Sequence, residues 1–448
     1  MAKERRNRWS KVGMTFLIVV TIILSGLAIA YGSTDLGMAA STYEKNRAAA
    51  EKNGLFFTDE QVNEHFKVPD ADNGMSLLKA IETKALGSPP DLTDDEIKAR
   101  KSDIDAVIKK FAEVSQRKFL VSKSIGPFLD FSEGAKVKNG VKILCRIAKF
   151  SSDHGDLNAC RGYLRSAAFL SNAADDMGDI IPVFIRIACA AMIEARLQKM
   201  IPTHANDPAW LTVIEDTLKQ LDQPYDLSLA LKLDHRWHMT YVEMIKKEPM
   251  TLEQIRKATD LPLSMRLGYW LPKYQKASLS RVHEYYSGLA NLLPTDPFDY
   301  PQLKKAVQFD RDFQTRKGWS YEAMMEPEFQ QFPKAVWKEI SNRNALFQAV
   351  AMLKTHANPA KGLPLPGRFR IDLDGKPIRI RHLAKGWIVY SLFDAVDDGG
   401  AEINKGRGDF VVHLSAATAP PEAKPKGQKY LNQPSTGRGP APSPGPSP

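Results

Sequence analysis

The chain has 448 residues, 43% of them hydrophobic and 25% charged, more than one domain usually holds, which points to two folded parts with tails. Its formal charge of +10 sits largely at the ends: residues 1–11 carry Lys3, Arg5, Arg6, Arg8 and Lys11 against Glu4, and residues 414–448 carry Lys424, Lys426, Lys429 and Arg438 against Glu422. The long stretch between is close to balanced and lacks the clustered basic face that neutralising a phosphate backbone requires, which excludes nucleic acid as the main partner.

Residues 12–31 (VGMTFLIVVTIILSGLAIAY) contain no charge. At about 1.5 Å per residue such a helix spans a hydrocarbon core of about 30 Å. The basic stub at 1–11 predicts a cytoplasmic N-terminus and export of the remaining chain, giving a single-pass signal-anchor in a bacterial-type inner membrane with its bulk in the periplasm or outside. Ala28-Ile29-Ala30 has the small-x-small form that signal peptidase cuts, so a cleaved leader is the alternative. The run exceeds a typical h-region, which favours the retained anchor.

Residues 36–53 are Ala-rich and polar and suit a helical stalk leaving the membrane. Thr93 and Glu96 form a capping box ahead of Ile97, Ile104, Val107, Ile108, Phe111 and Val114 at helical spacing, predicting one long amphipathic helix. Two apolar stripes come next, through Ile143, Leu144, Ile147 and Ala148, then Leu157, Cys160, Leu164, Ala167 and Ala168. The turn Asp153-His154-Gly155-Asp156 separates them. Pro182 allows a third helix at Val183–Met200, with Pro202 just past its end. Further helices are predicted at 208–221, 227–247, 251–258, 262–292 with a kink at Pro272, 301–315 and 334–357. Cys145, Cys160 and Cys189 are an odd number and cannot close a disulfide framework. They read as small buried groups, with a pairing of Cys145 and Cys160 across the helical hairpin as the alternative.

After Pro359 the pattern changes. Residues 368–372, 376–382, 386–393 and 408–413 read as strands, with a tight turn at Asp374-Gly375. Beyond Ala416 the Pro-, Gly- and Ser-rich composition predicts a disordered tail. The expected fold is mainly α: a transmembrane helix, an all-helical α-hairpin array at 36–360, a small antiparallel β meander at 361–415 and a tail at 416–448.

The segment Asp372-Leu373-Asp374-Gly375-Lys376-Pro377-Ile378-Arg379-Ile380, then Gly386-Trp387-Ile388-Val389-Tyr390-Ser391-Leu392 and Asp397-Asp398-Gly399-Gly400, resembles the C-terminal end of type II secretion pseudopilins. In that family a Pro-containing turn leads to a Tyr-Ser-Leu strand and an acidic Gly-rich loop, which binds calcium in the major pseudopilin. Ile18 stands where the pseudopilin leader carries Glu. The whole chain is similar to an uncharacterised family of bacterial membrane-anchored helical proteins with the same ending; that resemblance implies a layout and no activity.

Three places invite a site. Asp394, Asp397 and Asp398 beside Gly399 and Gly400 offer hard oxygen ligands for calcium, though fewer than the roughly 6–8 it takes, and a solvated turn is the other reading. His235 and His238, three apart on one helical face with Asp234 and Glu243 near, have spacing that can hold zinc, but lack the Glu between them that a HExxH protease uses. Tyr269, Trp270, Tyr274, Tyr285 and Tyr286 could line a groove, or pack with Leu267, Leu271 and Leu279 as core. No Gly-x-Ser-x-Gly, Gly-x-Gly-x-x-Gly or Walker sequence occurs, so no catalytic or cofactor-binding residues are expected. The functional expectation is a membrane-anchored, non-enzymatic scaffold that binds another protein. The alternatives are a component of a type II secretion or pilus-like apparatus and, ranked last, a metal-dependent hydrolase using His235 or His238.

Overall fold

The capping residues act where the sequence places them in the computed structural model, which describes residues 21, 26, 37–82, 92–121, 131–177, 180–247, 274–293, 299–315, 331–392, 400 and 409–415. Of the apolar run only Thr21 and Gly26 are described, both helical. The predicted helix 251–258, the Pro272 kink, the acidic loop with Asp394, Asp397 and Asp398, and the tail all lie outside the described residues. Among the described residues no helix is long and apolar enough to cross a membrane.

The fold is mainly helical with one three-stranded antiparallel sheet. In chain order the helices are α1 (Tyr43–Lys52), α2 (Asp59–His65), α3 (Met75–Lys79), α4 (Asp94–Ala99), α5 (Lys101–Val114), α6 (Phe131–Asp153), α7 (Leu157–Asn172), α8 (Ile180–Thr203), α9 (Pro208–Leu221), α10 (Leu227–Lys247), α11 (Tyr274–Leu292), α12 (Tyr300–Thr315) and α13 (Gln331–Thr355). The strands are β1 (Arg379–Leu383), β2 (Gly386–Ser391) and β3 (Phe410–His413), in spatial order β1-β2-β3.

Thr93 caps α4: its hydroxyl accepts from Glu96 N–H at 3.2 Å while Glu96 Oε2 accepts from Thr93 N–H at 2.7 Å. The long helix expected here is broken at Arg100, which leaves helical geometry at φ −110°. The two halves answer to different neighbours. Arg146 of α6 holds the start of α4 through the Leu92 carbonyl and Asp94, both at 2.7 Å, whereas α5 is directed by its fully buried Phe111 and Val114. Helices α6 and α7 form the predicted hairpin. Gly155 takes φ +74° at its turn, a conformation glycine adopts without steric cost, and Asp156 caps α7 by accepting from Ala159 N–H at 3.0 Å. Helix α8 extends past its predicted limits at both ends, and Pro202 falls inside its last turn.

The strand expected at 368–372 is a 3₁₀ turn, Gly367–Arg370, followed by a single bridge between Ile371 and Pro377. Side chains of α13 explain the difference. Asn344 Nδ2 donates to the carbonyls of Arg368 and Ile371, and Gln348 Nε2 to those of Leu365 and Phe369, all at 2.9 Å. Backbone groups satisfied in this way have no need of a neighbouring strand.

Two apolar cores meet along α13. The larger joins α3 to α9, the C-terminal half of α13 (Ala345, Leu346, Val350, Met352) and one face of the sheet (Val389, Phe410, Val412). The smaller joins α1, α10, α11 and α12 to Val336, Trp337 and Ile340 at the N-terminal half of α13. The sheet therefore does not stand apart from the helices: Ser391 Oγ and Asn342 Oδ1 lie 2.8 Å apart, and Gln198 of α8 donates to the Val411 carbonyl.

Candidate functional site

The polar segment after the apolar run is not a free stalk. Helix α1 lies along α11, fastened by a polar ladder of seven-residue spacing. Asn46 Nδ2 donates to Ser280 Oγ at 3.0 Å and to its carbonyl at 3.2 Å, and Asn53 Nδ2 repeats this with Ser287 at 2.8 and 3.1 Å. A seven-residue repeat returns to nearly the same helix face, so these contacts run as one seam. His283, also fully buried, lies between the two serines.

His283 belongs to a buried relay. His235 Nδ1 lies 2.9 Å from the Phe56 carbonyl and His235 Nε2 lies 2.9 Å from His283 Nδ1. A carbonyl can only accept, so His235 carries its proton on Nδ1. Its Nε2 is then a lone pair, and His283 Nδ1–H must be the donor to it. His283 Nε2 is left as a second lone pair with no hydrogen-bond partner among the described residues. Phe57 closes the site, its ring 5.2 Å from His235 and 5.3 Å from His283, with Tyr43 5.6 Å from His283. Burial drives the His235 imidazole down to about 3, helped by the neighbouring His283, and His283 down to about 4, helped by Arg47. Both rings are neutral at pH 7.

His238 serves a different network on the same helix. Its Nδ1 lies 2.9 Å from the Asp234 carbonyl and 2.9 Å from Tyr286 Oη, while Tyr286 O–H donates to Asp234 Oδ2. Beside it, Tyr285 O–H donates to Asp310 of α12 at 2.6 Å. Adjacent tyrosines of α11 thus each satisfy a buried carboxylate, one on α10 and one on α12. We expect Tyr286→Phe to cost about 1–3 kcal/mol in urea unfolding at pH 7, since it leaves the Asp234 oxygen without its donor. Burial already holds Asp234 above the usual carboxylate range, so the cost should shrink as pH falls and the carboxylate is protonated; an equal cost at pH 7 and pH 4.5 would contradict the assignment.

The zinc spacing of His235 and His238 thus resolves into two rings with different partners. Among the described residues no group of three or more His, Cys, Asp or Glu side chains is placed to hold a metal ion. The calcium candidates Asp394, Asp397 and Asp398 lie outside the described residues. Gly400, at φ +76°, is described, and its N–H donates to the buried Asp409 carboxylate at 3.0 Å. Tyr285 and Tyr286 are core residues. The three thiols are free and buried, each pushed up to about 12 by burial, which makes them poor nucleophiles.

An open surface groove of about 500 Å³ borders the relay, lined by Glu51, Leu55, Phe56, Phe57, Glu64 and His65 among others. Its lining mixes apolar side chains with Glu51 and Glu64, which pair with Arg47 at 3.0 Å and with Lys67 at 3.4 Å. The relay lies directly behind it, because Phe56 and Phe57 face the groove and also contact His235.

A second buried polar cluster, at residues not singled out from the sequence, occupies the boundary between the two cores. Arg343 of α13 places Nη2 2.5 Å from Glu339 and Nε 4.0 Å from Glu194 of α8 and 3.9 Å from Asp222, and it donates from Nη1 to the Leu221 carbonyl. Arg368 pairs with the far side of Asp222. Burial, then the adjacent Glu339 charge, holds Glu194 well above the usual carboxylate range, with Arg343 opposing. The one available signal is a Glu and an Arg four apart in a helix with many apolar residues. No family model, curated protein or solved structure matches the chain.

Proposed function

We propose that the chain is a membrane-anchored, non-enzymatic scaffold of the bacterial envelope. Residues 12–31 hold it with the N-terminus in the cytoplasm and the helical bulk outside, where its surface binds a protein partner. The observation that supports this reading is the docking of α1. Only five residues separate Tyr31 from Gly37, the first residue of the continuously described chain, and the helix beyond is built into the domain. An anchor joined in this way fixes which face the domain presents along the membrane. A scaffold needs that constraint; an enzyme acting on a diffusing substrate does not. The groove at residues 51–65 belongs to the same segment and suits a partner that inserts an apolar side chain beside Leu55 and Phe57.

The test is a photo-crosslinking residue at exposed Gln61, in the full chain in its native membranes, with a control probe at Lys98. A discrete protein adduct at 61, absent at 98 and lost in the Glu64→Lys variant, is the expected result. No adduct above the control would remove the groove as the partner site. The alternative, a part in a type II secretion or pilus-like apparatus, draws on the motif at 372–392, which forms one braced unit: the Asp372 carboxylate accepts from Leu392 N–H at 3.2 Å. Unchanged secretion in a deletion strain would eliminate it.

A further inference from the structure

We propose that the His235–His283 pair is an acid-operated latch: adding a proton to it releases α1 and the Phe56-Phe57 loop from α10 and α11 while the rest of the fold stays closed.

The relay is built from two neutral, buried rings. Its two ring protons sit on the two Nδ1 atoms, one directed at the Phe56 carbonyl and one at His235 Nε2. A single added proton leaves one N–H donor facing one lone pair between the rings, but it makes one of the two a buried cation. A proton added to His283 Nε2 would create a buried cation between the rings of Phe57 and Tyr43, with the like charge of Arg47 near it.

The groups around the pair reinforce this. From α1 come Tyr43 and Arg47, the latter a cation 5.7 Å above the Phe57 ring. From α10 come Arg236, His238 and Asp234, and from α11 comes Tyr286. Asp234 already receives the Tyr286 hydroxyl, and Asp59 at the start of α2 is taken by Arg236 at 2.9 Å. Neither carboxylate faces the relay unengaged. The new charge reaches water most directly if the covering segment leaves.

That segment can leave alone. Its buried apolar contribution is chiefly Ala50 and Leu55, with Phe57 partly buried beside them, and its other ties are polar contacts that water can replace: the Asn–Ser ladder, Thr42 with Ser280 at 3.1 Å and the exposed Glu44–Lys276 pair at 3.6 Å. Local opening of such a unit costs less than global unfolding. The latched form excludes protons that the released form binds below pH 6.5, so its advantage is complete above that pH and falls as pH drops toward 4. For each histidine the equilibrium should move by roughly tenfold or more between pH 7.5 and pH 5.

The experiment is hydrogen–deuterium exchange on the full chain in detergent at pH 7.5, 6 and 5, corrected for intrinsic exchange rates. Amides of residues 44–57 should lose about 100-fold of their protection between pH 7.5 and pH 5, while those of α8 and β2 keep theirs. Equal protection of 44–57 at both pH values, or loss in step with α8, would overturn the proposal. In His283→Gln the amide can still donate to His235 but position 283 no longer titrates, so the loss should shrink by about tenfold; an unchanged loss would also overturn it. A direct titration of the wild-type histidine ring signals needs no variant, and titration of both buried rings near pH 6.5 with α1 still docked would rule the latch out.

Discussion

Arg343→Met should lower the stability of the folded chain by about 3–5 kcal/mol, because it leaves buried acidic groups without their cation. Arg343 touches Glu339, Glu194, Asp222 and the Leu221 carbonyl together. These groups come from α13, α8 and the end of α9, and the cluster lies where the two apolar cores meet. Denaturant unfolding followed by tryptophan fluorescence and by far-UV circular dichroism should therefore separate into two transitions in the variant, as the cores lose their coupling. A single transition within about 1 kcal/mol of wild type would show that the cluster contributes little. The companion change Glu194→Gln should behave oppositely. Glu194 has a raised folded-state value, so its contribution is full below pH 4.5 and is lost as pH rises through that value. Glutamine removes the titration, and the variant should be at least as stable as wild type at pH 7 with a flatter pH dependence. A marked loss of stability at pH 7 would mean that the ionised carboxylate is needed.

Asp372→Ala is the second large effect expected. The fully buried carboxylate accepts from Leu373 N–H at 2.6 Å and from Leu392 N–H at 3.2 Å, and it pairs with Arg379. It thus ties the turn before β1 to the residue just past the end of β2. Removing it orphans two backbone donors and half of the Arg379 pairing, and Asp374, at 2.7 Å from Arg379, keeps only the remainder. The cost should be about 3 kcal/mol, with amide exchange rising first in β1 and β2 and leaving α6 and α7 protected. Asp372→Asn keeps one acceptor and should cost less. Equal exchange in the sheet and in α6 would contradict the bracing role.

Helices were legible wherever apolar spacing and end residues agreed. The helix predicted at 208–221 is α9 at its observed bounds, Thr93 caps as its position predicted, and the turn at Asp153-His154-Gly155-Asp156 separates two helices where expected. The residues at 368–372 were not legible, because Asn344 and Gln348 satisfy their backbone and that proximity exists only after α13 packs. The same limit governs the candidate site. His235 and His238 stood out as a polar pair, but local spacing cannot show that one ring turns to Phe56 and His283 while the other turns to Asp234 and Tyr286. Position 283 lies on another helix and had no local signal of its own. Glu194 and Arg343 likewise meet only through the packing of α8 on α13.

The central claim, an anchored scaffold with a protein partner, is tested most directly by affinity purification of the C-terminally tagged full chain from membranes, with intact mass and metal content read on the same sample. The account predicts a co-purifying protein, an uncut N-terminus and no stoichiometric metal. A chain cleaved after Ala30, carrying stoichiometric zinc or calcium and no partner, would contradict it.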